Sequence, residues 1–305
     1  MSAPIRGVVP PVTVPLLDDR SLDLVSYQRQ IDRLIDAGVD GLFILGSTGE
    51  VAFSTVERRR EIIAASVDAI AGRVPCLVGV VDTQTDRVIE HIKTAEEFDI
   101  AGVVATAPFY ALGGIPQIEQ HFRLLRAATE LPIYAYDIPV CVHTKLPVDL
   151  LISLALDGVL QGVKDSSGDD VAFRYLSLAN RRAGKPLSLL TGHEVCVDAA
   201  YMAGADGCVP GLGNVDPDAY VRQWRAYQEG DWETVRTEQD RLAELMRVAM
   251  VARSATGFGA GVGGFKTALA CMGIFATNQM PEPVSRLQGE DVQRVEDILA
   301  ELGMV

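Results

Sequence analysis

The sequence is poor in positive charge. Lysine and arginine together number 27, against 41 aspartates and glutamates, which gives the 305-residue chain a formal net charge of −14 at pH 7. Proteins that bind nucleic acid or anionic membranes by counterion release need clustered Lys and Arg side chains. The charge balance therefore argues against both classes as the main partner.

The sequence also lacks long apolar runs and paired cysteines. No uninterrupted apolar stretch approaches the roughly 18 residues of a membrane-spanning helix, and residues 1–15 do not have the charged and then apolar segments of a signal peptide. The five cysteines are odd in number, form no C-x-x-C pair and have no histidine at zinc-ligand spacing. We expect a cytoplasmic protein with reduced thiols and no metal site.

Short apolar runs alternate with longer amphipathic stretches along most of the chain. Eight runs predict strands that begin 20 to 35 residues apart, at 8–14, 41–45, 76–80, 102–105, 132–136, 159–164, 187–190 and 207–209. Such alternation predicts an α/β protein whose parallel strands are joined by right-handed crossovers. Eight units fit a closed (β/α)8 TIM barrel better than an open doubly wound sheet.

Helix signals lie between these strands and after the last of them. Ser54 to Glu57 predicts an S-x-x-E capping box for a helix that ends at Ala71-Gly72, and apolar spacing predicts another helix over 23–37. After about Asp216 the patterns are helical only, over 231–251, 265–272 and 290–302. We predict a barrel over residues 1–225 and a C-terminal helical extension over residues 226–305.

A lysine ends the sixth predicted strand, and lysine is scarce in this chain. Of the 27 basic residues five are lysines, and four of them have ordinary positions in a helix face, a loop, a turn and a helix entry: Lys93, Lys145, Lys185 and Lys266. Lys164 follows an apolar run at the strand end where barrel enzymes collect their chemistry. An interior position desolvates the amine, as a Schiff-base enzyme requires. A lysine that extends from the strand end to solvent explains the position equally well.

Two tyrosines and one loop follow neighbouring strand ends. Tyr136 ends the fifth strand, where a phenol can relay protons near an imine, although a buried core tyrosine is common. Tyr110 lies in the less constrained loop after the fourth strand. The loop Gly46–Glu50 has two glycines and two hydroxyls before a helix, which suits a small carboxylate. An ordinary turn whose hydroxyls cap their own backbone is the alternative.

Taken together, these segments resemble the dihydrodipicolinate synthase / N-acetylneuraminate lyase family of class I aldolases and lyases. The resemblance extends from Pro11–Pro15 to the glycine-rich entry into the helix that contains Lys266. It depends on the combination and order of four motifs, which are Gly46–Glu50, Pro108–Tyr110, Tyr136–Pro139 and the strand-ending Lys164. It implies an eight-stranded barrel with a C-terminal helical extension, assembled as a homotetramer from two tight dimers.

The resemblance also implies roles for individual residues. Lys164 matches the lysine that forms an imine with pyruvate or a related 2-oxo acid, and Tyr136 matches the tyrosine that relays protons. Ser47 and Thr48 match the pair that holds the carboxylate of the 2-oxo acid, and Ser47 assists the proton relay.

Two further positions match family features at the edge of the site. Tyr110 matches a tyrosine that reaches a neighbouring subunit's site in many members, and Val209 falls where the family offers backbone to the ligand. The imine itself withdraws electrons from the reacting carbon, so the resemblance implies neither a metal nor a cofactor.

Several positions depart from the pattern of the synthases that make dihydrodipicolinate. Those enzymes have an arginine two residues after the proline of the Tyr136 motif, and here that place holds Cys141, whose thiol cannot bind a carboxylate bidentately. Asp137 replaces the usual asparagine, and the Asp-Ser-Ser-Gly-Asp that follows Lys164 is typical of sugar-acid members. We therefore expect a lyase or dehydratase of 2-oxo-3-deoxy sugar acids. His143 and Lys145 either contact the second substrate or are solvated loop residues.

Three other functions are alternatives to a sugar-acid lyase, and the sequence argues against the last of them. A dihydrodipicolinate synthase would condense pyruvate with aspartate semialdehyde, and a non-catalytic barrel would bind a 2-oxo acid without turning it over. A nucleotide-dependent enzyme would use the G-x-G-x-x-G run at Gly259–Gly264, but that fingerprint needs a preceding strand. Residues 242–252 predict a helix instead, so we interpret the run as a flexible loop before a helix.

Overall fold

The computed structural model describes residues 4–305, in which eight parallel strands form one sheet with neighbours in the order β1-β8-β7-β6-β5-β4-β3-β2. The strands are β1 (Gly7–Val8), β2 (Leu42–Ile44), β3 (Cys76–Gly79), β4 (Gly102–Thr106), β5 (Ile133–Asp137), β6 (Gly162–Asp165), β7 (Ser188–Thr191) and β8 (Gly207–Cys208). A parallel bridge between Pro11 and Phe43, with backbone hydrogen bonds on either side of it, joins the chain after β1 to β2. This contact closes the sheet, which confirms the predicted (β/α)8 barrel.

Helices surround the barrel and continue beyond it. They are α1 (Leu24–Asp36), α2 (Val56–Ile70), α3 (Thr85–Ala95), α4 (Ile115–Ala128), α5 (Pro139–Val142), α6 (Val148–Leu156), α7 (Asp170–Arg182), α8 (Val197–Ala203), α9 (Pro217–Glu229), α10 (Trp232–Leu245), α11 (Phe258–Cys271) and α12 (Glu290–Glu301). The main hydrophobic core includes side chains from the barrel strands and from α10, α11 and α12. The boundary at residue 225 stays a prediction. No helix among residues 4–305 has the length and apolar character needed to cross a membrane.

The first and sixth strands differ most from their predicted apolar runs. Regular pairing of the first strand covers Gly7–Val8 rather than 8–14, because Pro10 and Pro11 have no N–H to donate to a ladder. The sixth strand begins at Gly162 rather than at 159. Gly158, with a φ of 72°, ends the preceding helix, and the Val159 N–H still bonds back to the Leu154 carbonyl. Local hydrogen bonding at the strand starts therefore overrides the hydrophobic pattern.

The capping box predicted for Ser54 to Glu57 does not form. Thr55, not Ser54, caps α2, since its Oγ1 accepts the N–H of Arg58 at 3.2 Å. The Ser54 hydroxyl instead donates to the Glu50 carbonyl at 3.1 Å, which fastens the preceding loop. The predicted end of this helix at Ala71-Gly72 is confirmed, with φ values of 48° and 68°.

The interpretation of Gly259–Gly264 as a flexible loop is wrong, because these residues form the first turns of α11. A Cβ on Gly264 would lie 2.2 Å from the Val248 carbonyl oxygen, so the glycine allows the helix to pack directly against the turn at 246–249. That turn and α10 precede the glycine run, and neither is a strand. The run therefore lacks the strand–turn–helix setting of a dinucleotide site.

Lys266 is not the ordinary helix-entry lysine that its position predicts. The side chain is fully buried, forms an ion pair with Glu50, which is 3% exposed, and donates to the Gln279 carbonyl at 2.9 Å. Burial raises the pKa of Glu50 and lowers that of Lys266, so each charge depends on the other. The pair joins α11 of the C-terminal region to the Gly46–Glu50 loop of the barrel.

We predict that Lys266→Met lowers the free energy of unfolding by about 3–5 kcal/mol, because it leaves the Glu50 carboxylate buried without its partner. Urea denaturation followed by circular dichroism measures the change. Lys93→Met, which removes an exposed lysine, is the matched control and should alter stability by less than about 0.5 kcal/mol.

The double variant Glu50→Gln/Lys266→Met removes both charges and should recover more than half of the lost stability. A Lys266→Met protein as stable as the Lys93→Met protein would contradict the importance of the pair.

Candidate active site

Lys164 lies inside the mouth of the barrel. It is 6% exposed, and its Nζ is 3.9 Å from the ring centroid of Tyr136 and 5.2 Å from that of Phe43. Phe43 belongs to β2, on the far side of the barrel from β6, so a lysine that touches it points inward. Lys164 forms no ion pair with any of residues 4–305. The amine is thus surrounded by aromatic rings rather than extended to solvent.

Tyr136 connects the lysine to the loop after β2. Tyr136 and Lys164 are register partners across β5 and β6, which places their side chains next to each other on the inner face. The Tyr136 hydroxyl lies 3.4 Å from Ser47 Oγ, and the ring meets Phe43 edge-on with centroids 6.3 Å apart. Hydroxyl, phenol and amine therefore converge from three strand ends.

The loop Gly46–Glu50 is held in a strained conformation. Leu45, which precedes the loop, and Glu50, which ends it, have φ values of 54° and 60°, in the left-handed region that costs free energy. Gly79 of β3 makes the turn possible, because a Cβ there would lie 1.9 Å from the Leu45 carbonyl oxygen. With Glu50 bound to Lys266, the loop presents the partly exposed Ser47 and Thr48 from a constrained backbone.

The loops after β6, β7 and β8 form the opposite wall. A Cβ on Gly192 would lie 2.0 Å from Ser166 Oγ and 3.3 Å from Lys164 Cε. The Glu194 carboxylate accepts the Leu212 N–H at 2.7 Å. Burial raises the pKa of Glu194, against the opposing effects of backbone hydrogen bonds and of the Lys164 charge.

Gly211 marks the point where the two walls meet. A Cβ on it would lie 3.0 Å from Glu194 Oε1 and 3.2 Å from Thr48 Oγ1, so both side chains border the same space. Sequence reasoning assigned no role to Phe43, Ser166, Gly192 or Glu194. Three of them follow predicted strand ends, and that position is the signal that could have identified them. Phe43 lies within a strand and gives no such signal.

The remaining predicted residues lie at the edge of this cluster or outside it. Val209 is buried, and its N–H donates to the Thr191 carbonyl at 2.7 Å. Cys141 lies on the exposed side of α5; partial burial raises the pKa of its thiol, and the Lys164 charge opposes that rise. His143 ends α5 in the left-handed conformation and is exposed.

Tyr110 does not contribute to the cluster around Lys164 within its own chain. It is 93% exposed and lies on the loop after β4 with a φ of 70°. The structure therefore brings Ser47, Tyr136 and Lys164 together with Thr48 nearby, and it leaves Tyr110 at the surface.

Lys145 is a partly buried loop residue that forms ion pairs and is not aimed at the centre of the mouth. Its ammonium contacts Asp137 and lies 3.3 Å from Asp165 Oδ2, on the outer face of the two strand ends. Among residues 4–305 no group of three or more His, Cys, Asp and Glu side chains is arranged to hold a metal ion.

The chemistry that this arrangement allows follows from its parts. A buried amine can attack a carbonyl carbon. A phenol and a hydroxyl close to each other can carry protons to and from it. The hydroxyls and N–H groups of the Ser47–Thr48 turn can hold a small anion.

Comparison with known proteins identifies a family and several relatives. The sequence model of the dihydrodipicolinate synthetase family matches residues 4–302. An uncharacterized DapA-like lyase from Halobacterium salinarum is 34% identical over 302 residues, which cover 99% of this chain and 95% of the relative.

Two other relatives have more specific names. A 4-hydroxy-tetrahydrodipicolinate synthase from Methanosphaerula palustris is 28% identical and covers 81% of this chain and 84% of its own. The probable 2-dehydro-3-deoxy-D-pentonate aldolase YjhH from Escherichia coli is 26% identical and covers 98% of both chains.

A solved structure superimposes over almost the whole chain. It is YagE, a prophage protein of the dihydrodipicolinic acid synthase family from Escherichia coli, in complex with pyruvate. The TM-score is 0.92 at 25% identity, and the match covers 98% of this chain and 99% of YagE. The agreement in fold includes the helices after the barrel.

Proposed function

The chain belongs to the dihydrodipicolinate synthetase family and is a lyase, and we propose that it acts on 2-oxo acids through an imine at Lys164. The observation that carries the proposal is the position of this amine. It is buried at the barrel mouth, lies against Tyr136 and forms no ion pair with residues 4–305. Because members of this family are synthases and aldolases, membership argues against a non-catalytic binding barrel.

In the proposed reaction the Lys164 amine attacks the C2 carbonyl carbon of the 2-oxo acid. The carbinolamine oxygen takes up protons, leaves as water, and a protonated imine remains. Tyr136 is the proton donor and acceptor, with Ser47 3.4 Å away as its relay partner. Ser47 and Thr48 hold the carboxylate of the substrate, and Val209 lines the site with its backbone. The pyruvate bound in YagE supports the choice of a 2-oxo acid.

The protonated imine then serves as the electron sink for either of two outcomes. In aldol cleavage the C4 hydroxyl gives up its proton, the C3–C4 bond breaks, and its electron pair forms an enamine with the release of an aldehyde. In dehydration the C3 proton is removed and the C4 hydroxyl leaves as water. Both outcomes start from the same imine and need neither a metal nor a redox cofactor.

We propose a 2-oxo-3-deoxy sugar acid as the substrate. Cys141 occupies the place of the carboxylate-binding arginine, and a thiol offers no bidentate contact. The likeness to a pentonate aldolase over 98% of the chain supports this choice. The alternative, a synthase that condenses pyruvate with aspartate semialdehyde, is supported by the synthase among the relatives.

Incubation with pyruvate and borohydride should add one pyruvate-derived adduct per chain, on Lys164, because reduction traps the imine as a stable amine. Intact-mass and peptide mass spectrometry measure the site and extent of labelling. Lys164→Arg should remain unlabelled, and Lys93→Met, which changes an exposed lysine, should label like wild type. Tyr136→Phe should slow labelling by about 100-fold through loss of the proton relay. A wild-type protein that is unmodified, or labelled elsewhere, would refute the imine at Lys164.

A substrate panel separates the two substrate classes. We expect turnover of 2-oxo-3-deoxy pentonates or hexonates, assayed by release of pyruvate and aldehyde or by formation of the dehydrated acid. For aspartate semialdehyde with pyruvate we expect kcat/KM to be about 100-fold lower than for the sugar acids, because the carboxylate of the semialdehyde lacks a cationic partner. N-acetylneuraminate is the third compound whose turnover is measured.

Cys141→Arg is the informative variant for this panel, since it restores the guanidinium that the synthases use. It should raise kcat/KM for aspartate semialdehyde. Efficient condensation of aspartate semialdehyde by the wild-type protein would show that the departure at Cys141 does not exclude the synthase reaction.

We also propose that the protein is a cytoplasmic homotetramer built from tight dimers. Tyr110 and Leu112, 93% and 54% exposed on one loop, provide an apolar surface through which Tyr110 can reach a neighbouring site. Val171, Tyr175 and Met202, each more than 60% exposed on α7 and α8, provide another. Exposed apolar clusters of this kind favour subunit contacts. The five cysteines, all of them free thiols, support a reducing compartment.

Sedimentation velocity at micromolar concentration should give a particle about four times the mass of the 32.8-kDa chain. Tyr110→Asp, which places a charge in the proposed contact, should shift the distribution to smaller species. A wild-type monomer would contradict the assembly.

A further inference from the structure

Two acidic side chains face each other behind the active site. Asp137 and Asp165 are register partners across β5 and β6, each one residue beyond Tyr136 and Lys164. Successive side chains of a strand point to opposite faces, so the two carboxylates lie on the outer side of the barrel wall. Asp137 is fully buried and Asp165 is 5% exposed.

Lys145 supplies the positive charge between these carboxylates. Its Nζ contacts Asp137 Oδ2 and lies 3.3 Å from Asp165 Oδ2. Burial opposes the charged form of Lys145, but attraction by Asp165 and Asp137 outweighs it and raises the pKa of the amine. Burial raises the pKa of Asp137, and Lys145 limits that rise. The ammonium therefore offsets a repulsion that two buried like charges would otherwise exert on the strand ends.

Backbone and hydroxyl donors complete the cluster. Asp137 Oδ1 accepts the Leu146 N–H at 3.2 Å, and Asp165 Oδ1 accepts the N–H and hydroxyl of Ser167 at 2.8 and 2.6 Å. Each carboxylate thus uses one oxygen for a nearby turn and offers the other to Lys145. The ammonium is what joins the two halves of the cluster.

The lysine also belongs to the segment that carries the specificity residues. Residues 141–146 run from the end of α5 into the connection to α6 and include Cys141 and His143, while Lys145 and Leu146 both bind Asp137. His143 is in the left-handed conformation, which is retained where surrounding contacts over-determine the backbone. Anchorage at 145–146 fixes the end of this segment to the strand that contains Tyr136.

We propose that Lys145 is a positioning residue with two separable effects on the proposed reaction. By neutralising Asp137 and Asp165 it sets the distance between the strand ends, and hence the approach of Tyr136 to Lys164 during imine formation. By anchoring residues 141–146 it sets the affinity for the part of the substrate beyond the 2-oxo acid group. The proposal rests on the imine mechanism at Lys164.

Three variants separate these effects. Lys145→Met removes the charge, Lys145→Arg keeps it, and Asp137→Asn/Lys145→Met removes the repulsion while leaving residues 141–146 without the lysine anchor. Lys93→Met, an exposed lysine on α3, is the matched control. The two readouts are the rate of pyruvate trapping at Lys164 by borohydride, and KM against kcat for the best substrate of the panel.

We expect Lys145→Met to slow trapping by about 10-fold and to raise KM by about 10-fold, because small misplacements of reacting groups are costly. The double variant should recover trapping to within about 3-fold of wild type while its KM stays high, since the repulsion is gone but the anchor is still missing. Lys145→Arg, which keeps the charge, should have a trapping rate and a KM close to those of the wild type. Lys93→Met should change neither.

Each outcome is decisive. Wild-type trapping and KM in Lys145→Met would overturn the proposal, and so would a double variant that folds cooperatively but shows no recovery of trapping. If Lys145→Met does not fold, the double variant is compared with Lys145→Arg. Trapping should then be close to the wild-type rate in both, while KM should be raised only in the double variant. Absence of a pyruvate adduct in the wild-type protein would instead refute the imine mechanism, so the two failures are distinguishable.

Discussion

The register between β5 and β6 is the constraint on which the active site depends. It places Tyr136 opposite Lys164 inside the barrel and Asp137 opposite Asp165 outside it, in two successive steps of the same ladder. Because side chains alternate between faces, these pairs cannot change position independently. A one-residue slip of β6 would turn the Lys164 amine toward the helices and bring the Asp165 carboxylate into the mouth.

The lysines near the mouth divide into those with carboxylate partners and the one without. Lys266 is bound to Glu50 beneath the Gly46–Glu50 loop, and Lys145 is bound to Asp137 and Asp165 behind the strand ends. Lys164 lies over aromatic rings and forms no ion pair with residues 4–305. The paired lysines hold the backbone in place, and the remaining one has the unpaired amine that the proposed imine requires. With a net charge of −14, attraction over long distances does not favour the anionic substrate that we propose, so its recognition would have to come from contacts inside the mouth.

Sequence patterns predicted the barrel and the positions of Tyr136 and Lys164 near strand ends, because both depend on local periodicity. Alternation of strand and helix patterns along the chain is enough to indicate eight units, and a lysine at a strand end is visible in the printed sequence. The roles of Lys145 and Lys266 were not predictable in this way. Lys266 meets a carboxylate 216 residues earlier in the chain, and Lys145 depends on a register that no spacing reveals. The helical state of Gly259–Gly264 was not predictable from the sequence either, because it depends on packing against Val248 and not on the conformational preference of these residues.

Several strained backbone positions lie where the chemistry is proposed to occur. Of the seven non-glycine residues with positive φ values among residues 4–305, four lie on the loops that follow β2, β4 and β5, namely Leu45, Glu50, Tyr110 and His143. A strained turn persists only when its surroundings stabilise it. Glu50 is stabilised by the ion pair to α11, and the segment that contains His143 is stabilised by Lys145. The C-terminal helices thus act on the active site indirectly: they supply the charge that keeps Ser47 and Thr48 facing Tyr136 and Lys164.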